Sequence, residues 1–354
     1  MKKKIIALLL AALTVFSAGC TASKPSSATE SSQAITAKSK EKRKIIIDTD
    51  TAGDDAVAMI MAAKTENVEI LGVTVSAGNV DLEQAVNNAL MTLEIVGCDA
   101  PVYKGASATY TGKKRKTFSV YGKDGMGDND LIHPTRKPEN KNAVDFLIET
   151  VKANPDEVEI IALGPVTNLA LDKDPKTMKH VKRYWSMGTG GFGVGNASPV
   201  SEFNVYHDAE AYKVLTDCGV SVTAIGLDVV TDATTFTKDD FDRAAQNGKL
   251  SDFVSKSFAG LLRFYAEKRG LKQVDIPDAV AMACALWDGY LLETKACHAS
   301  VMTKDNEAYG QVILYQEGFG YDNGVEYDDY NFHVATKTSD KSFKKTLIEL
   351  LKDN

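Results

Sequence analysis

The sequence predicts an α/β fold, an open and mostly parallel sheet with helices packed on both faces. Short apolar runs rich in Ile and Val alternate with segments whose apolar residues recur at helical spacing, and the alternation continues along nearly the whole chain. Many of the runs end near Gly, Asn or Asp, the residue types that turn a chain from strand into helix. With 354 residues, 44% of them hydrophobic, the chain can bury a core of the size such a sheet needs. No internal repeat is visible.

The first run is the one around which the rest is arranged. Lys44 to Ala58 reads KIIIDTDTAGDDAVA. Ile45, Ile46 and Ile47, unrelieved by polar residues, suit a strand buried on both faces. It should end near Asp50; Thr51, Ala52 and Gly53 turn the chain, and Asp54 to Lys64 continues as a packed helix. Asp50 thus falls at the carboxyl edge of a strand while Asp54 and Asp55 open the next helix, the place where open α/β sheets put their sites. Helix capping accounts for one or two aspartates in a first turn. It does not account for Asp48, Asp50, Asp54 and Asp55 together. Carboxylates so close need positive charge among them, and a hard oxygen-seeking cation, calcium or magnesium, is the natural neutraliser.

The remaining elements follow in order. Glu69 to Ala77 is a strand ending in Gly78-Asn79, which sets Asn79 at the same kind of edge as Asp50. Asp81 to Val96 is a helix with Leu82, Ala85, Ala89, Leu93 and Val96 on one face. Pro101 to Gly105 is a short strand, and Ala106 to Lys141 a long polar connection of the kind that serves as a lid or binding loop. Its basic run, Lys113 to Lys116, reads as a solvated face. Ala143 to Ala153 is helical, Val158 to Leu163 a buried strand, and Gly164 to Ala170 a turn opening a helix. Val181 to Met187 is a strand, followed by the glycine-rich Gly188 to Gly195; no Lys-Ser/Thr pair follows, so this is not a nucleotide P-loop. Glu202 and Asn204, two apart, would share one face if extended. Beyond them come a helix over Ala209 to Thr216, a strand over Ser221 to Val229, and a largely helical stretch from Asp239 to Gly270 with a break near Gly248. Pro277 and Asp278 begin a further helix, where capping alone would explain the aspartate. Ala299 to Thr303, Gln311 to Tyr315 and Asn331 to Thr336 are late strands, and Ser339 to Lys352 closes the chain as a helix. Taken together this is a Rossmann-like arrangement.

The front end reads as a processing signal. Met1-Lys2-Lys3-Lys4 is a basic start, Ile5 to Phe16 an apolar stretch, and Ser17-Ala18-Gly19-Cys20 a small-residue cleavage site, so residues 1–19 are expected to be removed on export. Ala18-Gly19-Cys20 resembles the bacterial lipoprotein box, with Ser17 where leucine is usual, and implies that Cys20 is lipidated and anchors the protein to the outer side of a membrane. Residues 20–43 would be the anchor and a flexible tether rich in Ser, Ala, Thr and Lys, and residues 44–354 the folded domain. The formal net charge of −7 argues against nucleic acid as a partner. Cys98, Cys218, Cys284 and Cys297 are scattered, lack zinc-site spacing and read as buried small hydrophobes, a disulfide being the alternative.

With these segments in place the chain resembles the inosine-uridine preferring nucleoside hydrolases, from about Lys44 to the closing helix. DTDTAGDDAVA stands against that family's D-x-D-P-G-x-D-D-A, with Thr51 and Ala52 in place of Pro-Gly. Gly78-Asn79, Gly-Pro-Val-Thr-Asn at 164–168, Met187 with its glycines and Glu202-Phe203-Asn204 follow in the family's order. The resemblance implies hydrolysis of the N-glycosidic bond of ribonucleosides. It implies calcium held by Asp50, Asp55, the backbone carbonyl of Thr167 and Asp278, a ribose surrounded by Asp54, Asn79, Met187, Asn196, Glu202 and Asn204, and Asp50 as the base that takes a proton from the metal-bound water. A dimer or tetramer is common in the family. Carboxylates suit the cation-like sugar formed when a ribosyl C–N bond breaks.

The pattern departs from the family where the base leaves. Many members carry His directly before the late Asp, and this chain has Pro277; the loop near Tyr121 likewise has Tyr where His is frequent. Tyr265 and Tyr121 are the candidate substitutes, since a phenol can donate to a base. His133, His180, His207, His298 and His333 match no family position, and Trp287 reads as core. Two other readings compete. A haloacid-dehalogenase-like phosphatase would use Asp48 as nucleophile in IIIDTDT but leaves Asp54-Asp55, Gly78-Asn79 and Glu202-Phe203-Asn204 unexplained. A lipid-tethered nucleoside- or ribose-binding protein would keep the scaffold and lose turnover.

Overall fold

The computed structural model describes residues 42–353, apart from 115–116, 118–119, 172–175, 322–323 and 325–326. The expected export signal, Cys20 and nearly all of the expected tether lie outside the described residues, as do Arg115 and Lys116 of the basic run; Lys113 and Lys114 are exposed.

In chain order the elements are β1 (Arg43–Thr49), α1 (Gly53–Ala63), β2 (Val68–Val75), α2 (Leu82–Val96), β3 (Val102–Lys104), α3 (Ala143–Ala153), β4 (Val158–Ala162), α4 (Thr167–Ala170), β5 (Arg183–Met187), α5 (Phe203–His207), α6 (Ala209–Asp217) and β6 (Val222–Ile225). There follow β7 (Phe236–Thr237), α7 (Lys238–Ala245), α8 (Lys249–Ser257), α9 (Ala259–Phe264), a π-helical turn (Tyr265–Arg269), β8 (Gln273–Val274), α10 (Pro277–Leu286), β9 (Leu291–Val301), β10 (Val312–Gln316), β11 (Phe332–Thr338) and α11 (Phe343–Leu350).

Nine strands form one sheet in the order β10-β9-β11-β6-β5-β4-β1-β2-β3. From β3 to β11 every neighbouring pair is parallel; only β9 runs against its neighbours. The chain leaves β1 toward β2 and β3 on one side, then returns to lay β4 on the other. The carboxyl ends of β1 and β4 therefore flank the point where the strand order reverses, the crevice in which parallel sheets bind ligands. Two hydrophobic layers enclose the sheet. One joins Ile45 and Ile47 to α1, α2, α8 and α10; the other joins Ile46 to α3 and α6. Three consecutive isoleucines are fully buried because alternate side chains enter opposite layers. At the start of β1, Arg43 donates to Glu159 Oε1 and Oε2 of β4 at 3.0 and 2.7 Å.

Several elements differ from the sequence reading. The strand expected over Ser221 to Val229 stops at Ile225, because Gly226 begins a 3₁₀ turn over Leu227–Val229. The strand expected over Ala299 to Thr303 is β9, which starts at Leu291; its first half is exposed, so the sequence there carries no apolar run. Glu202 and Asn204 are not extended. Glu202 caps α5, accepting from the Asn204 and Val205 N–H groups at 2.9 and 3.2 Å. Asp278 is not a capping side chain but the second residue of α10, after Pro277. Among the described residues no disulfide forms: Cys284 and Cys297 are buried, Cys98 and Cys218 half-buried. Trp287 packs against Tyr290 and Phe343 at ring separations of 5.8 and 5.7 Å.

Candidate active site

A cavity of about 500 Å³ opens at the carboxyl edge of the sheet, within the range of small-molecule sites. Its lining includes Asp54 and Asp278, from the first turns of α1 and α10, and Glu202, the cap of α5. Helix starts favour carboxylates through their unpaired N–H groups and dipole, which is how three acids come to face one space. Asp50 and Asp55 are fully buried just beneath it.

Asp55 is fixed by local bonds. Its Oδ1 accepts from the Thr49 hydroxyl at 2.6 Å and its Oδ2 from the Ala52 N–H at 2.8 Å. Asp50 Oδ2 accepts from the Asn79 N–H at 2.5 Å. Glycine on either side makes room for this carboxylate: a Cβ at Gly78 would lie 2.1 Å from Asp50 Oδ2, and one at Gly164 2.5 Å from Oδ1. The glycines after β2 and β4 thus leave the room that the Asp50 carboxylate occupies.

Carboxylate oxygens of Asp54, Asp55 and Asp278 all lie within 4.8 Å of one another. Burial, with the charges of Asp54, Asp55, Asp50 and Glu202 beside it, pushes the Asp278 carboxyl well above the usual range. Burial and the charges of Asp55 and Asp54 do the same to Asp50. Burial and Asp55 raise Asp54 to about 7, and burial raises Glu202 to about 7. Among the described residues, Asp50 Oδ1 and Asp54 Oδ1 are buried with no hydrogen-bond partner. Acceptor oxygens left orphaned beside a convergent acid cluster fit a hard divalent cation, since unpaired buried carboxylates are otherwise costly.

The predicted ribose residues Asp54, Asn79, Met187, Asn196, Glu202 and Asn204 all line the cavity, as do Tyr121 and Tyr265. Asn204 Nδ2 donates to the Leu163 and Met187 carbonyls at 2.8 and 3.2 Å, tying the ends of β4 and β5 together. Asn196 Oδ1 accepts from the Phe203 N–H at 2.8 Å. The buried Tyr121 hydroxyl donates to Asp54, and its ring meets Phe258 edge-on at 6.3 Å. The long loop that carries Tyr121 is pinned over α1 by Asn88 Nδ2, which donates to the Thr51 and Asp124 carbonyls, both at 2.9 Å.

Of the predicted ligands Asp278 lines the cavity, Asp50 and Asp55 are fully buried behind its lining, and Thr167 is not among the lining residues. The Thr167 carbonyl accepts from the Leu171 N–H within the turn of α4, and its hydroxyl donates to Asp208 at 2.7 Å. Leu163, at the end of β4, does line the cavity, and its carbonyl accepts from Asn204 Nδ2. A main-chain ligand leaves no side-chain signature; the only sequence signal was the end of the apolar run before Gly164. Arg269 and Asp275 also line the cavity and were not anticipated.

Among the described residues, no histidine lines it. His133 and His298 pair with Asp130 and Asp329 at 3.0 and 2.7 Å, and His207 is buried 5.6 Å from the Phe203 ring. Asp48 lies below the sheet edge, where its Oδ1 accepts from Thr74 and Asn168 at 2.6 and 2.8 Å. Its side chain is buried and does not line the cavity, so nothing in the geometry presents it to a substrate as the phosphatase reading requires.

Comparison with known proteins agrees with this geometry. The pattern of the inosine-uridine preferring nucleoside hydrolases matches residues 45–345. A probable uridine nucleosidase 2 of Arabidopsis thaliana is 34% identical over 296 residues, 82% of this chain and 91% of the relative. The pyrimidine-specific ribonucleoside hydrolase RihB of Escherichia coli is 31% identical over 287 residues, 78% of this chain and 89% of that protein. Among solved structures, the plant nucleoside hydrolase PpNRh1 superimposes with a TM-score of 0.81 at 27% identity, covering 88% of this chain and 99% of its own. The chain belongs to the inosine-uridine preferring nucleoside hydrolase family and is an N-glycosyl hydrolase of ribonucleosides.

Proposed function

We propose that the protein is a calcium-dependent ribonucleoside hydrolase, exported and tethered by a lipid on Cys20, that acts on pyrimidine nucleosides of the uridine class. The observation that carries the metal reading is the convergence of Asp54, Asp55 and Asp278, from opposite halves of the chain, beside orphaned oxygens of Asp50 and Asp54. Asp50, Asp55, Asp278 and the Leu163 carbonyl, in place of that of Thr167, are the proposed ligands; all are oxygens, which suits calcium. When bound, the cation lets these carboxylates ionise together and acidifies a water in its shell. The names of the uridine nucleosidase and RihB relatives support the choice of base.

In this reading Asp50 accepts a proton from the attacking water, whose oxygen bonds to the anomeric carbon of the ribose. The C–N bond breaks and its electron pair leaves with the base. Asp54 and Glu202 stabilise the positive charge that grows on the sugar. Asn79, Asn196 and the Asn204 side-chain oxygen orient the ribose hydroxyls, and Met187 packs against the ring. Release of reducing sugar from uridine, cytidine, inosine and adenosine tests the proposal. Asp50→Asn should lower kcat on uridine by about 10²- to 10⁴-fold with the fold retained, the loss typical of a removed general base. An Asp50→Asn variant as active as wild type, or binding of uridine by calorimetry with no sugar released by the wild type, would refute it.

A further inference from the structure

The groups described so far act on the ribose and the water; none assists the departing base, and Pro277 stands where many relatives carry an imidazole. The wall at the end of α9 supplies another group. There the helix widens into the π-helical turn Tyr265–Arg269, closed by Gly270 at φ 67°, and such turns recur at functional sites. The Arg269 guanidinium carbon lies 4.8 Å from the centre of the Tyr265 ring and 5.9 Å from that of Phe264, within cation–π range. Tyr265 in turn donates a long hydrogen bond, 3.4 Å, to Asp275 Oδ2. Tyr265, Arg269 and Asp275 all line the cavity. Arg269 makes no hydrogen bond or ion pair with another described residue, so the N–H fork seated on the two rings remains unspent.

Resting on the ribosidase reading above, we infer that Arg269 stabilises the leaving base, with Tyr265 and Asp275 as its positioning residues, and that the site therefore selects uridine over purine nucleosides. A guanidinium stays charged throughout the working pH range and gives up no proton, so it acts as a fixed positive charge with directed donors, not as an acid. When the bond from the anomeric carbon to the base nitrogen breaks, the electron pair delocalises in uracil onto two ring carbonyl oxygens, which are acceptors for such a fork. The anion then takes its proton from solvent after release. A departing purine depends more on protonation of a ring nitrogen, and the phenol nearest the fork is a poor source: burial and Asp275 push Tyr265 up to about 12.

The test compares uridine and inosine with p-nitrophenyl β-D-ribofuranoside, whose leaving group needs no assistance. Arg269→Gln should lower kcat on uridine by about 10²-fold, the scale of one lost charge-stabilising donor, and change kcat on the nitrophenyl riboside by less than about threefold. Tyr265→Phe should show the same pattern with a smaller loss, and Arg269→Lys should recover part of the uridine rate. Wild type should have a higher kcat/KM for uridine than for inosine. Equal losses on uridine and the nitrophenyl riboside, no loss on uridine, or a preference for inosine would overturn the inference. A wild type active on the nitrophenyl riboside keeps the ribosidase reading standing in each of those cases; one inert on every substrate would remove both.

Discussion

Asp54 and Glu202 show what single residues contribute to the site and what it costs the fold. Both carboxyls are raised to about 7 by burial, with Asp55 adding to the effect on Asp54. In the metal-free folded protein these groups hold protons that the unfolded chain releases near pH 4, so the stability they contribute is present below that pH and is lost as pH rises toward 7. The melting temperature of the EDTA-treated protein should accordingly fall by several degrees between about pH 5 and pH 8, and saturating calcium should suppress the fall. A flat profile without metal would contradict the burial of uncompensated charge. The acid residues themselves were legible in the sequence because four aspartates around one strand end exceed what capping requires. The Leu163 carbonyl, a proposed ligand, was not, since main-chain oxygens have no letter of their own. Nor was Arg269, whose role depends on a widened turn that places its side chain over two rings.

At the scale of elements, the turns that end β2 and β4 matter more than the strands do. Gly78 and Gly164 leave the space that the Asp50 carboxylate occupies. Gly164→Ala should therefore lower the melting temperature, at a cost of about 1–3 kcal/mol for an overpacked site, and reduce kcat on uridine by more than about tenfold by displacing Asp50, the proposed base. Unchanged thermal melting together with an unchanged kcat would show that Asp50 is not held by these turns. Buried strands such as β1 and β4 were legible from their apolar runs, and α1, α2 and α3 from periodicity and caps. The first half of β9 was hidden because its side chains face solvent on the antiparallel margin of the sheet, where apolar patterning is not required. Likewise Glu202 and Asn204 gave no helical signal, since α5 is only five residues long and is defined by the cap rather than by a periodic face.

For the molecule as a whole, the reversal of strand order between β1 and β4 determines where chemistry can occur. It brings the early aspartates to the same crevice as Asp278, far along the chain. The alternation of strands and helices made the sheet legible; which strands would flank the reversal was not, because topology is fixed by long-range packing. The proposed export and anchoring belong to the same scale. Cys20→Ser should move the protein expressed in a bacterial host from the detergent phase to the aqueous phase on phase partition, with the soluble activity on uridine retained. Equal partition of both forms would contradict a lipid on Cys20.

The convergence of Asp55 and Asp278 is tested most directly by calcium titration of the EDTA-stripped protein while ribose release from uridine is followed. Activity is expected to be absent without metal and to return saturably with one calcium per chain for wild type, and to need far more calcium, or not to return, for Asp278→Ala. Full ribose release by the stripped wild type, or an unchanged calcium requirement in Asp278→Ala, would contradict it.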